Sequence, residues 1–310
     1  MSRLRTRALA VAVAGALSAL LAGCGSAAEP ELRTSPDSQG AALAAPTTTV
    51  APTTSTPPPT TTTTTRPPRT TTTTPKPRAA AHQAAAAPAT PGIAWVPAGG
   101  DEFGGGAVDG GSWNVYDSKG AFGNGRRTPD AVTQGDGVLT ITGRAADGGT
   151  SGGIGMKKGQ LYGRWEFRAR TDKGVGFGSA ILLWPDSEKW PDDGELDMME
   201  VPSENRNAAH TIIHWGAGNQ TFGGATPGDF SQWHTFAFEW LPDRLTMYVD
   251  GAKTFETVDP AMIPTKPMHA TIQLDQGPAP GWLAAPPEGG PDIRLQVDYL
   301  RISSLPGQPA

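Results

Sequence analysis

From residue 93 onward the chain never sustains a helical period. Short runs of alternating or β-branched residues recur instead between clusters of Gly, Pro, Asn and Asp, at 138–142, 163–169, 211–215, 234–240 and 245–249. The stretch Tyr248-Val249-Asp250-Gly251-Ala252-Lys253 reads as a strand running into a tight Asp-Gly hairpin. So many short strands over roughly 210 residues predict a single β-sandwich or jelly roll, with no internal repeat and no second folded domain. All 9 tryptophans fall in this part. A domain of that size buries enough core to stand alone, so a monomer is expected.

The first 92 residues have a different composition. Arg3, Arg5 and Arg7 precede a short apolar stretch at 8–21, the pattern of an export signal over residues 1–23. It ends in Leu21-Ala22-Gly23-Cys24, which resembles a bacterial lipobox, with Cys24 as the acylated residue. Cys24 is the only cysteine, so no internal disulfide can form; the alternative is a leftover cysteine in an ordinary cleaved signal. Acylation would tether the protein at the outer face of the cytoplasmic membrane without a spanning helix. Residues 24–92 are rich in Ala, Thr and Pro and read as a disordered linker, leaving 93–306 as the folded domain. The net charge of −5 comes with scattered basic residues, which excludes the basic face that nucleic acid requires.

Within the folded part, GELDMME at 194–200 sets three carboxylates on one apolar run. Strand alternation puts Glu195 and Asp197 on the same face and Glu200 on the other. A β-bulge at Met198–Met199 would swing Glu200 back beside them. Two glutamates four regular steps apart stand about 13 Å apart at the backbone. Side chains leaning together approach the ~5–5.5 Å of a retaining glycosidase pair. A solvated acidic face, or carboxylates that ligate Ca²⁺, is the alternative. Acids crowded on an apolar strand are costly unless they work.

The motif Glu-x-Asp-x-x-Glu after WPDDG resembles glycoside hydrolase family 16 in its bulged, laminarinase-like form. The likeness extends to DEF at 101–103, GDGVLTITGR at 135–144 and YGRWEFRARTDKGVG at 162–176. HTIIHWG at 210–216, WHTFAFEWLPDRLTMYVDG at 233–251 and LQVDYLRI at 295–302 follow in the family's order. The resemblance implies an all-β, concanavalin-like jelly-roll sandwich of two curved antiparallel sheets with a substrate cleft. It implies an extracellular retaining endo-β-glycan hydrolase, nearest to an endo-β-1,3(4)-glucanase, acting on a polysaccharide and needing no cofactor for catalysis. A transglycosylase and a lectin-like binding lipoprotein are the rival readings, and the intact acid set argues against the second.

By match to the motif, Glu195 is the nucleophile and Glu200 the acid/base, with Asp197 sharing a hydrogen bond with one glutamate. The resemblance assigns Trp184, Trp190, Trp215 and Trp282 to substrate stacking, with core as the alternative for each, and Gln273 to a polar cleft position. Trp165 and Trp240, between apolar neighbours, are expected in the core. Arg164 and Glu166 share a strand face that is either cleft or surface. His210 and His214 have the spacing that binds zinc on a helix, but Thr-Ile-Ile between them favours a strand and no acidic third ligand is obvious. For His214 a substrate hydrogen bond or support of Glu200 is the better assignment. Many family members carry a structural calcium ion, and the matching positions are the Asp298 side chain and the Gly137 carbonyl; Asp298 could instead pair with Arg301 or cap a turn. Where the family commonly has A-F-W-L-L-P, this chain has Ala180-Ile181-Leu182-Leu183-Trp184-Pro185. The ring moves two residues along the strand and keeps its face. The proline-rich loop at 277–290 is expected to border the cleft.

Overall fold

A computed structural model of the chain describes residues 89–308. The signal segment, Cys24 and nearly all of the linker lie outside the described residues. Seventeen strands and four short 3₁₀ turns form the described part, with no α-helix among them. One sheet, here the back sheet, runs β15 (Ala252–Thr257), β14 (Arg244–Val249), β13 (His234–Leu241), β8 (Gly163–Thr171), β17 (Ile293–Ser304), β6 (Val138–Gly143) and β5 (Val132–Gly135). The strand β1 (Val96–Asp101) also pairs with β17. The second, the cleft sheet, runs β12 (Gln220–Pro227), β11 (Ala208–Trp215), β10 (Glu195–Val201), β9 (Phe177–Pro185), β16 (Met268–Gln276), β7 (Thr150–Met156), β4 (Arg126–Arg127) and β3 (Ser118–Lys119). There β2 (Trp113–Val115) joins β7. Pairing is antiparallel except between β4 and β7. The expected sandwich of two antiparallel sheets is therefore present.

Local chemistry explains the turns. Val249 pairs with Ala252, leaving Asp250 and Gly251 as a two-residue loop with φ of 47° and 84°. Both positive angles suit the mirror-image turn that matches strand twist, and Asp-Gly is its favoured sequence. Asp136 and Gly137 repeat the device between β5 and β6, with φ of 53° and 78°.

Alternation fills the space between the sheets. Trp165 and Phe167 of β8 meet Trp240 and Phe236 of β13, with ring centroids 6.0 Å and 5.0 Å apart. Trp165 and Trp240 are 1% and 0% exposed, as expected of core residues. The opposite face of β8 presents Arg164 and Glu166, and these lie in neither cleft nor open surface. Arg164 sits across from Glu239 of β13 and contacts it at 2.7 Å and Glu166 at 3.1 Å. Tyr299 donates its hydroxyl to Glu166 at 3.2 Å, and the Thr90 N–H donates to Glu239 at 3.1 Å. The segment around Thr90 thus helps cover this charge network, so contacts of the folded domain begin ahead of residue 93.

A second buried cation fixes the loop after β10. Arg206 is fully buried and donates to the carbonyls of Asp172, Phe177, Val201 and Ser203 at 2.7–3.1 Å. Burial lowers its pKa to about 10, which leaves it charged at neutral pH. These carbonyls, with that of Pro202 at 3.4 Å, tie the end of β10 to the start of β9.

Candidate active site

The pairing of β10 breaks where the sequence predicts. Against β11, Glu195 faces His214 and Asp197 faces Ile212, and the next pair is Glu200 with His210. Against β9 the register also shifts between Asp197 and Met199. Met198 and Met199 occupy this bulge and are both buried. The extra residue returns Glu200 to the face of Glu195 and Asp197, while Leu196 and Val201 stay in the core.

Strand register lays out the cleft in rows. One row crosses Ile212, Asp197, Leu182, Thr271 and Gly155, over five strands. Beside it runs His210, Glu200, Ala180, Gln273 and Gly153. On the other side stand the cross-strand pairs His214–Glu195 and Trp184–His269. A cleft of about 910 Å³ lies on this face and is lined by Trp184, Trp190, Glu195, Asp197, Glu200, His214 and Gln273. Tyr116 packs over Gly153 and Gly155; a Cβ on either glycine would come within 2.6 Å of its ring or hydroxyl. That hydroxyl lies 3.2 Å from Thr271 Oγ1. The two glutamates stand in the flanking rows on either side of the middle one.

The three carboxyls have different surroundings. Burial, with the nearby charges of Asp197 and Glu195, pushes Glu200 up to about 9. Asp197, 2% exposed, is held well above the ordinary carboxylate range by burial and by the Glu195 charge. Burial raises Glu195 as well, but His214 and a hydrogen bond from Trp190 pull the other way. Trp190 Nε1 donates to Glu195 Oε2 at 2.6 Å, and Trp190 is 38% exposed with its ring stacked on Trp184 at 6.2 Å and 11°. The two glutamates are thus raised unequally: Glu200 has no hydrogen bond among the causes of its shift, whereas Glu195 has the Trp190 donor and the nearby His214 opposing its burial, the kind of difference that sets two carboxyls apart.

Several expectations need correction. His214 lies across from Glu195, and it is His210 that faces Glu200, because the bulge falls between the two pairs. Asp197 Oδ2 has no aligned hydrogen-bond partner among the described residues; its near neighbour is His214 Nε2 at 3.2 Å. Acidic groups do stand beside His214, since Glu195 and Asp197 reach it through tertiary pairing that sequence spacing cannot show. Trp215 alternates to the face opposite His214 and packs against the core, lining a small depression with Ile263 and Pro264 instead of the cleft. Trp282, in the proline-rich loop, stands edge-on to His210 at 4.9 Å and lines a narrow recess beside Glu200. Asp298 pairs with Arg168 at 3.0 Å, whereas Arg301 pairs with Glu102. A guanidinium already neutralises Asp298, and with the Gly137 carbonyl this carboxylate makes two of the six to eight oxygens calcium takes, so an ion here would depend on further backbone carbonyls or water.

Four cleft residues escaped the sequence reading. Asp275 accepts from Gln273 at 2.9 Å and from Arg127, and its charge raises all three catalytic-strand carboxyls. Its spacing of two from Gln273 on a strand was the available signal. Arg127, Tyr116 and Asn219 come from β4 and loops, where no periodicity marks them.

A profile of "Glycosyl hydrolases family 16" matches residues 124–299, more than half of the chain. The chain belongs to glycosyl hydrolase family 16. Among relatives of this family-16 domain, a beta-glucanase of Rhodothermus marinus is 30% identical over 163 residues, covering 46% of this chain and 57% of the relative. A keratan-sulfate endo-1,4-beta-galactosidase of Sphingobacterium multivorum is 28% identical over 193 residues, covering 58% and 44% respectively. The chain thus spans about half the length of these curated relatives. The solved laminarinase of Rhodothermus marinus superposes with a TM-score of 0.62 at 25% identity, over 69% of this chain and 98% of that one. The catalytic domain of an endo-1,3-beta-glucanase from Thermotoga petrophila gives 0.62 at 23% identity, over 69% and 100%. These likenesses confirm the jelly-roll sandwich.

Proposed function

We propose that this family-16 domain is a retaining endo-β-glycan hydrolase, and that its substrate is a β-1,3- or mixed β-1,3(4)-glucan. The observation that carries the reading is one bulged strand that presents Glu195 and Glu200 to the same cleft in unlike environments. Glu200, pushed up to about 9, holds the proton that the leaving oxygen needs. Glu195, bonded by Trp190, attacks the anomeric carbon and forms a glycosyl ester. Esterification removes the Glu195 charge, one of the influences that hold the Glu200 proton. Glu200 then takes a proton from water, and that water releases the sugar with net retention. The stacked Trp184–Trp190 pair offers an aromatic face to a sugar ring, and Gln273 and Asp275 offer polar partners.

The names of the curated and solved relatives support the glucan; the Leu21–Cys24 segment supports export and a lipid tether at the membrane. A monomer suffices, because every residue in these roles comes from one chain. The test is release of reducing ends from laminarin, mixed-linkage glucan, xyloglucan, galactan, agarose and carrageenan by the wild type and by Glu195→Gln. Cleavage of laminarin or mixed-linkage glucan by the wild type alone is expected. Tight binding without cleavage would replace the hydrolase with a lectin-like role, and product chains longer than the substrate would make it a transglycosylase.

A further inference from the structure

We infer that Glu195, Asp197 and His214 also form a reversible site for a divalent transition-metal ion of the zinc class, and that the bound ion blocks the cleft. The inference rests on the hydrolase reading only for its inhibitory consequence. One ligand atom from each of the three residues lies within 4.8 Å of the other two. They come from adjacent strands, Glu195 and Asp197 two apart on β10 and His214 directly across.

Two observations separate this cluster from an ordinary group of acids. His214 Nδ1 lies 2.8 Å from Asn219 Oδ1, and an amide oxygen only accepts, so Nδ1 carries the hydrogen. In the neutral imidazole Nε2 then presents its lone pair, the orientation that metal-binding histidines acquire from a partner on the other nitrogen. Asp197 Oδ2, on a 2% exposed residue, has no hydrogen-bond partner among the described residues and lies 3.2 Å from that Nε2. Four-coordinate zinc with bonds of about 2.0–2.1 Å needs ligand atoms about 3.3 Å apart. The histidine–aspartate edge therefore has the required length already. One Glu195 carboxylate oxygen lies within 4.8 Å of both ligand atoms, and Oε2 of that carboxylate accepts from Trp190, which fixes where the group stands.

One imidazole and two carboxylates suit zinc, copper or cobalt, whereas calcium and magnesium prefer all-oxygen sets. The fourth position opens to the cleft, where water fills it. Other histidine–carboxylate contacts, His234 with Asp250 and His269 with Asp186, bring one carboxylate each. An ion bound at the triad occupies the Glu195 oxygen that would attack the sugar, so metal and glycan exclude each other.

The experiment is a zinc titration of the metal-free full chain by calorimetry, repeated with cobalt to read the visible band of four-coordinate Co²⁺. His214→Gln and Asn219→Ala are titrated alongside, with near-UV circular dichroism as the check on folding. One ion per chain is expected, with affinity lowered at least ~10-fold in His214→Gln and 10- to 100-fold in Asn219→Ala. Zinc should raise KM for the glycan without lowering kcat, reversed by chelator. No binding, affinity equal in wild type and both variants, or inhibition that lowers kcat at unchanged KM would overturn the inference. A chain that binds zinc as expected yet cleaves no glycan would keep the metal site and remove the hydrolase reading.

Discussion

Each sheet holds a cluster of three ionisable side chains, fully buried on the back sheet and half-buried around Asp197 on the cleft sheet, and the two clusters are built on opposite principles. On the back sheet, Arg164 stands between Glu166 and Glu239, and Tyr299 and the Thr90 backbone supply further hydrogen bonds. Every buried charge there has a partner of matching chemistry, which is how a fold tolerates charge in its interior. On the cleft sheet, Glu195, Asp197 and Glu200 face one another, with one imidazole beside them and no guanidinium among their causes of shift. Crowded acids without a guanidinium among them are all shifted upward, and unequally, which is what sets Glu200 apart as the proton holder. Paired burial gives structure; unpaired burial gives proton chemistry.

That contrast can be broken from either side. Glu195→Gln should cut kcat by roughly ten-thousand-fold or more while leaving the fold intact, read as reducing ends released from laminarin. Retained activity would remove the cleft cluster from catalysis. On the back sheet, Arg164→Met should leave two buried glutamates facing each other and cost about 3–5 kcal/mol in urea unfolding, with kcat per folded molecule unchanged. Glu200→Gln should have the reverse effect on stability. The folded-state pKa of Glu200 is raised from 4.5 to about 9, so folding binds a proton that the unfolded chain releases between those values. Its contribution is fully present below pH 4.5 and is lost progressively as pH rises toward 9. A glutamine cannot ionise, so the variant should be more stable than wild type at pH 7, by up to ~3 kcal/mol, and equal to it at pH 4. The wild-type rate should fall on the basic side near pH 9 for the same reason. Trp190→Phe removes the 2.6 Å donor to Glu195; a lost hydrogen bond to a charged group of about 1.5–3 kcal/mol predicts a 10- to 100-fold lower kcat/KM and an acid limb moved upward. Calcium chelation should do least, with a Tm change under ~1 °C, because Asp298 already has Arg168.

Where local pattern decides the outcome, the sequence was legible. Period-two alternation and Asp-Gly turns placed the strands, and three acids at a spacing off by one placed the bulge at Met198–Met199. What depends on partners distant in sequence was not. His214 shares no local signal with Glu195, and only the antiparallel pairing of β10 with β11 brings them together. Trp215 follows His214 directly, so strand alternation turns it away from the cleft even though its segment resembles a cleft-lining one. Arg164 looked undecidable because its partner Glu239 is 75 residues away. Arg206 gave no hint at all, since its partners are backbone carbonyls gathered by the fold.

The most direct measurement is to trap the reaction halfway with a 2-fluoro laminaribiosyl donor and map the labelled residue by mass spectrometry of the digested protein. The account predicts one added glycosyl group per chain, on Glu195. A label on Glu200 or Asp197, or turnover with inversion and no label, would contradict it.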